Sequence, residues 1–166
     1  PEAATPAESA VEVAALPSVA PAVGGDPALI GSSPFGLLPR SSHDGRLPRE
    51  VYARRVTPVP ENVPRVIIVV GGLGLSQTGT QSAIEQLPED VTLAFAPYGM
   101  SLQRWVAKAR EEGHEVILQI PLEPANYPQE NPGEHTLLAS AGGDYADDLH
   151  WVLARAGAYA GVMNYM

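Results

Sequence analysis

The sequence predicts an α/β fold built on a parallel sheet, and three observations carry that expectation. The run Arg65 to Ser76, RVIIVVGGLGLS, contains five consecutive β-branched residues, Val66 to Val70. Such a run cannot alternate between a wet and a dry face, so it predicts a strand covered on both sides. Directly after it come Gly71, Gly72 and Gly74, then Ser76 in position to cap a helix, the way a β/α unit turns. From Val63 onward strand and helix signals alternate, the pattern of repeated right-handed crossover units. In such sheets chemistry gathers at the carboxyl ends of strands, which directs attention to the surroundings of Gly71 and Gly72.

Three regions follow one another along the 166 residues. Residues 1–28 are rich in Ala, Pro, Val and Glu, and Pro6, Pro17, Pro21 and Pro27 interrupt any helix the alanines start, so this segment reads as a disordered, flexible tether. Residues 29–62 space Phe35, Leu37, Leu38, Tyr52 and Val56 among prolines. A solvated linker has no use for such large apolar groups, and an extended arm packing on the folded domain is expected. The arm's Arg40, Arg46, Arg49, Arg54 and Arg55 are expected to pair with acidic groups of that domain.

Residues 63–166 form the domain. A helix over Gln77 to Leu87 places Thr80, Ala83, Ile84 and Leu87 on one face. A second strand runs from Val91 to Ala96 and stops at Pro97. The next helix opens at Ser101, presents Leu102, Trp105, Val106 and Ala109 at helical spacing, and ends at Gly113. His114 to Ile120 reads as a third strand, and a Pro-rich loop follows from Pro121 to Leu138. That connection exceeds the usual α/β length, a sign of a functional loop or lid. A third helix begins near Asp144, and Tyr159 to Met163 starts a fourth strand. About four β/α units make a small sheet with an open side, so residues 63–166 alone are expected to expose an apolar edge that a missing barrel half or a partner chain would cover.

Composition excludes several functions. The formal net charge is −9 with basic residues scattered, which disfavours nucleic acid. Without cysteine there is no disulfide, thiolate metal site or cysteine nucleophile. No run reaches the roughly 18 apolar residues of a membrane helix. The glycine turn fails as a dinucleotide fingerprint, because Gln77 stands where the third glycine belongs and the second strand ends FAPYG without an acid. The four histidines, His43, His114, His135 and His150, show no metal-ligand spacing. Ser76 and Ser101 read as helix caps, since neither lies in a G-x-S-x-G elbow. Asp144, Asp147 and Asp148 complement a helix dipole.

Strand polarity selects the candidates. Glu123 lies just beyond the third strand between Pro121 and Pro124, well placed for a carboxylate that must be held still. Gln119 at that strand's end, and Asn164 with Tyr165 after the fourth strand, share the rim with Gly71. His114 stands at the opposite end of the third strand, where position speaks for stability.

Taken together, RVIIVVGGLGLS, LPEDVTLAFAPYG, AREEGHEVILQIPLEP, YPQENPGEHTLL and GVMNYM resemble the divergent polysaccharide deacetylases, relatives of the NodB-like carbohydrate deacetylases. The resemblance implies a distorted (β/α) barrel of which this chain holds part, an exported protein of the periplasm or cell envelope, and a glycan or peptidoglycan partner. It also implies hydrolysis of an N-acetyl group by water that a divalent metal such as zinc and an aspartate base activate. The aspartate pair of active relatives falls on Gly71 and Gly72, and the His-x-x-x-His set falls on Gln119 and Glu123. Of these positions Glu123 alone remains a candidate metal ligand or catalytic group, while Gln119, Asn164 and Tyr165 remain candidates for substrate binding. A degenerate or truncated deacetylase-like protein is therefore expected, with an active hydrolase or an envelope scaffold as alternatives.

Overall fold

The computed structural model describes residues 25–56, 60, 62–139, 142 and 145–165. Of the expected tether only residues 25–28 are among these, and Asp144 and Met166 lie outside them. The described chain is mixed α/β. Its main sheet contains β3 (Val69–Leu73), β4 (Thr92–Phe95), β5 (Val116–Ile120) and β6 (Gly161–Asn164), parallel throughout and in that spatial order. Helices α2 (Gln77–Gln86), α3 (Leu102–Glu111) and α4 (Ala146–Leu153) are the crossovers.

The property expected of the first strand belongs to its neighbour. On β4 the successive residues Leu93, Ala94 and Phe95 are fully buried, because pairing on both edges and helices above the sheet cover it. β3 is an edge strand. It begins three residues later than Val66, and Val66 and Ile67 are 85% and 84% exposed. The expected buried strand Val66 to Val70 is thus corrected: an edge position leaves the β-branched run without a cover among the described residues. The opposite edge, β6, also exposes Val162 and Met163.

The core lies between the sheet and its helices. Ile84 of α2 and Leu102, Trp105, Val106 and Ala109 of α3 meet Leu93, Phe95, Val116 and Leu118 of the central strands, and Val152 of α4 joins them. Full burial of such side chains contributes about 1.5–3 kcal/mol each. Ser76 caps α2, its Oγ accepting from the Gly79 N–H at 3.2 Å. Ser101 does not cap α3. It adopts a left-handed conformation, φ 58°, and makes no side-chain cap bond. A Cβ on Gly99 would lie 2.6 Å from the Gly74 oxygen, so two strand-exit turns touch through bare backbone.

The segment read as an extended arm contains a hairpin, β1 (Ile30–Ser33) with β2 (Gly36–Pro39), and a single helical turn, α1 (Pro48–Val51). Leu29 and Tyr52 are buried. Arg54 binds Glu89 at 2.9 Å and Asp90 at 2.7 Å, and its Nε donates to the Gly113 carbonyl. Arg110 of α3 donates in turn to the Tyr52 carbonyl at 2.8 Å. His114 is buried at the start of β5, where its ring nitrogens face the carbonyls of Val91 and Ile84 at 3.0 and 3.1 Å. Its place is structural, joining the ends of two β/α units.

Candidate functional site

The carboxyl ends of β3 and β5 meet through Gln119. This side chain is 4% exposed, and its Oε1 accepts the Gly72 N–H at 2.6 Å. A Cβ on Gly71 would stand 3.0 Å from Gln119 Nε2 and 3.4 Å from its Cδ and Oε1. Gly71 is therefore small because a buried amide fills the space where its side chain would go. Gly72 is small for another reason: its φ is +73°, while a Cβ there would meet nothing within 4 Å. Both glycines lie within β3, where the register with β4 shifts between Val70 and Leu73. The turn proper is Gly74, at φ +91°, whose N–H donates to Thr80 Oγ1 at 2.8 Å.

The long connection after β5 is a pinned loop. Leu122 and Leu137 form a parallel bridge at its neck, Leu137 N–H donates to the Pro121 carbonyl at 2.8 Å, and Glu123 N–H donates to the Leu137 carbonyl at 3.1 Å. Glu123 is thus half-buried at the neck with its backbone fixed on both sides. Asn164 ends β6 in register with Ile120, and Tyr165 N–H donates to the Ile120 carbonyl at 2.9 Å. The structure thus joins Gln119 to Gly71 and Gly72 directly, and places Glu123, Asn164 and Tyr165 around the end of β5.

A second group was not singled out from sequence. Tyr98, just past β4, packs edge-on to Tyr165 with ring centroids 6.1 Å apart and donates its hydroxyl to the Glu134 carbonyl at 2.7 Å. Burial pushes its phenol above the ordinary value of 10.0. Trp151 of α4 lies 6.4 Å from Tyr98 and carries His135 stacked on its ring at 3.9 Å. His135 Nδ1 meets the Asp148 carboxylate at 2.8 Å. The position of Tyr98 straight after a strand end was the signal that could have found it. The histidine and its aspartate are 13 residues apart, on a loop and a helix, and no local spacing reveals them.

Comparison with known proteins agrees with this architecture. The family profile described as "Divergent polysaccharide deacetylase" matches residues 68–166. The chain belongs to the divergent polysaccharide deacetylase family. A solved structure of an uncharacterized protein from Agrobacterium tumefaciens is 53% identical to this deacetylase-family chain, with a TM-score of 0.70, over 79% of this chain and 53% of that one. The chain thus spans about half the length of that relative. No curated protein matches it.

Membership raises the question of a divalent metal, and the donors present do not fit one. Gly71 and Gly72 offer no side chain, and the Gln119 oxygen is engaged by the Gly72 N–H. Among the described residues no three His, Asp or Glu side chains converge. Catalytic zinc sites use three such protein donors. Also among the described residues, no helix is long and apolar enough to cross a membrane.

Proposed function

We propose that this chain is a deacetylase-like protein that binds a saccharide at the carboxyl rim of its sheet and does not hydrolyse it there. The observation that carries this reading is the Gln119 amide locked between Gly71 and Gly72. A neutral, buried amide stands where hydrolysis by activated water needs a base and a cation, and general-base catalysis alone is worth about 10²–10⁴-fold. Asn164, Tyr165 and Glu123 then serve as polar contacts to sugar hydroxyls above the buried Gln119 amide, and the apolar edges of β3 and β6 are covered by further β/α units or a partner chain. An envelope location follows from the same reading, as does a glycan or peptidoglycan ligand.

The test combines acetate release with metal content. The 166-residue chain, incubated with chito-oligosaccharide or peptidoglycan fragments and excess zinc, is expected to bind the saccharide, release no acetate and retain no stoichiometric metal. Acetate release that disappears in Glu123→Ala would overturn the reading in favour of an active hydrolase. Binding of a protein partner that survives Glu123→Ala, with no saccharide bound, would replace it with a scaffold role.

A further inference from the structure

Both edges of the main sheet are apolar and open. Val66, Ile67, Ile68 and Val69 are exposed along β3 and the residues leading into it, and Val162 and Met163 along β6. Neither Val66 to Leu73 nor Gly161 to Asn164 contains a charge or a proline, the usual protections of a free edge. The backbone at both edges is equally ready to pair. The Thr92 N–H donates to the Ile68 carbonyl at 3.0 Å, and the Ala160 N–H to the Val116 carbonyl at 2.8 Å. Polar groups of successive strand residues point to alternate sides, so those of Val69 point out from β3 and those of Gly161 out from β6. Among the described residues no strand pairs with either edge.

We propose that both edges are covered by a second copy of this chain, the β3 edge of each against the β6 edge of the other, closing an eight-stranded parallel barrel about a two-fold axis. This rests on the sheet edges and not on the saccharide reading.

Three observations select that occupant. First, the spatial order β3-β4-β5-β6 is the chain order, and side chains of all three crossover helices enter one core with the central strands. A doubly wound open sheet reverses its order and takes helices on both faces, whereas a sheet wound in one sense with helices on one side is the arrangement that closes into a barrel. Second, four strands are half of the eight at which side chains just fill a barrel interior. A head-to-tail contact that closes after two copies uses one kind of joint twice and leaves no edge. Third, the 53% identical structure carries nearly as much chain again beyond the aligned half, so a body of about this chain's own size fits against these edges. Parallel pairing across each joint would set Asn164 and Tyr165 of one copy beside Gly71 and Gly72 of the other, completing the rim from two chains.

Sedimentation of the 166-residue chain at micromolar concentration tests this, at about 0.15 M salt to screen the repulsion between chains of net charge −9. The expected species has twice the 17.5 kDa mass of one chain. Ile67→Lys blocks the β3 edge and Met163→Lys the β6 edge; each alone should weaken dimerisation at least roughly a hundredfold, because the ammonium would be buried at both joints without a partner. Mixed, the two variants can form one unblocked joint, and a dimer should reappear. A wild-type monomer overturns the proposal, as does a ladder of larger species, which would mean that the joint does not close. Dimers that survive Met163→Lys but not Ile67→Lys also overturn it, since β3 would then pair with its own copy. Should a lysine variant lose its fold, as circular dichroism would show, Val69→Cys and Val162→Cys carry the test in a chain that has no cysteine of its own. A short bifunctional thiol reagent should join these two variants to each other and neither to itself, and the reverse pattern refutes the pairing. Failure of the non-hydrolytic reading is registered separately, by acetate release.

Discussion

Gly71→Ala tests whether the rim is built as the geometry requires. The new methyl group arrives 3.0 Å from Gln119 Nε2 and 3.4 Å from Cδ and Oε1. Gln119 is buried, and its bond to the Gly72 N–H holds it, so the amide cannot withdraw without leaving a polar group unsatisfied. Overpacking a filled site costs about 1–3 kcal/mol, and a buried unpaired polar group costs about 1–3 kcal/mol. The chain takes the less costly of the two routes, so they are alternatives rather than a sum, and Gly71→Ala should destabilise by about 1–2 kcal/mol. Gly71 has no positive φ, so backbone strain adds nothing. In a Gln119→Ala background the obstacle is gone, and the same substitution should be neutral or gain about 0.4–1 kcal/mol from the stiffer unfolded chain. Urea denaturation of the four proteins of the cycle gives the coupling, expected at about 1–2 kcal/mol or more. If the two substitutions add within about 0.3–0.5 kcal/mol, Gln119 does not fill the space beside Gly71 and the argument against a metal at this rim loses its footing.

Three further outcomes are expected. Gly74→Ala combines a left-handed φ of +91° with a Cβ 2.4 Å from Leu102 Cδ2, and should lower stability by about 2 kcal/mol or more in the same denaturation assay; a change within experimental error would show that the two exit turns can part freely. His114→Ala removes the buried ring that lies between the Val91 and Ile84 carbonyls and its hydrogen bonding to them, and should cost about 1–3 kcal/mol while saccharide affinity is unchanged, so a selective loss of binding with full stability would make His114 functional after all. The Asp44 carboxyl is held at about 2, below its ordinary 3.8, by the Ser42 hydroxyl first and the Arg46 guanidinium second. A depressed carboxylate contributes stability that is present above 3.8 and lost as pH falls through about 2. The melting temperatures of wild type and Asp44→Asn should therefore converge as the solution is acidified to about 2, and a gap independent of pH would refute the linkage.

The legibility of the fold varied with how local its causes are. α2 could be read almost residue by residue because its signals are its own: Ser76 as cap, Thr80 and Ile84 on the buried face, Pro88 just beyond its end. α3 is equally legible through Leu102, Trp105, Val106 and Ala109, all buried, yet Ser101 before it does not cap the helix, since its left-handed backbone, φ 58°, makes no side-chain cap bond. The run Val66 to Val70 was read as covered on both faces. β-branching speaks for a strand, whereas an edge or central place depends on which strands lie alongside, and that is decided far away in the chain.

The sequence by itself determined that this is a β/α protein, where most helices lie, that Gly71, Gly72, Gln119 and Glu123 fall at the carboxyl ends of strands, and the family to which the chain belongs. These follow from periodicity, capping and motif order, properties that neighbouring residues carry between them. Only the tertiary structure decided that Gln119 and Gly71 compete for one space, that Gly72 gives its N–H to the same amide, and that His135, Asp148 and Trp151 form a single group. Gly72 and Gln119 are 47 residues apart, and parallel pairing across the crossovers is what brings such distant residues within hydrogen-bonding reach.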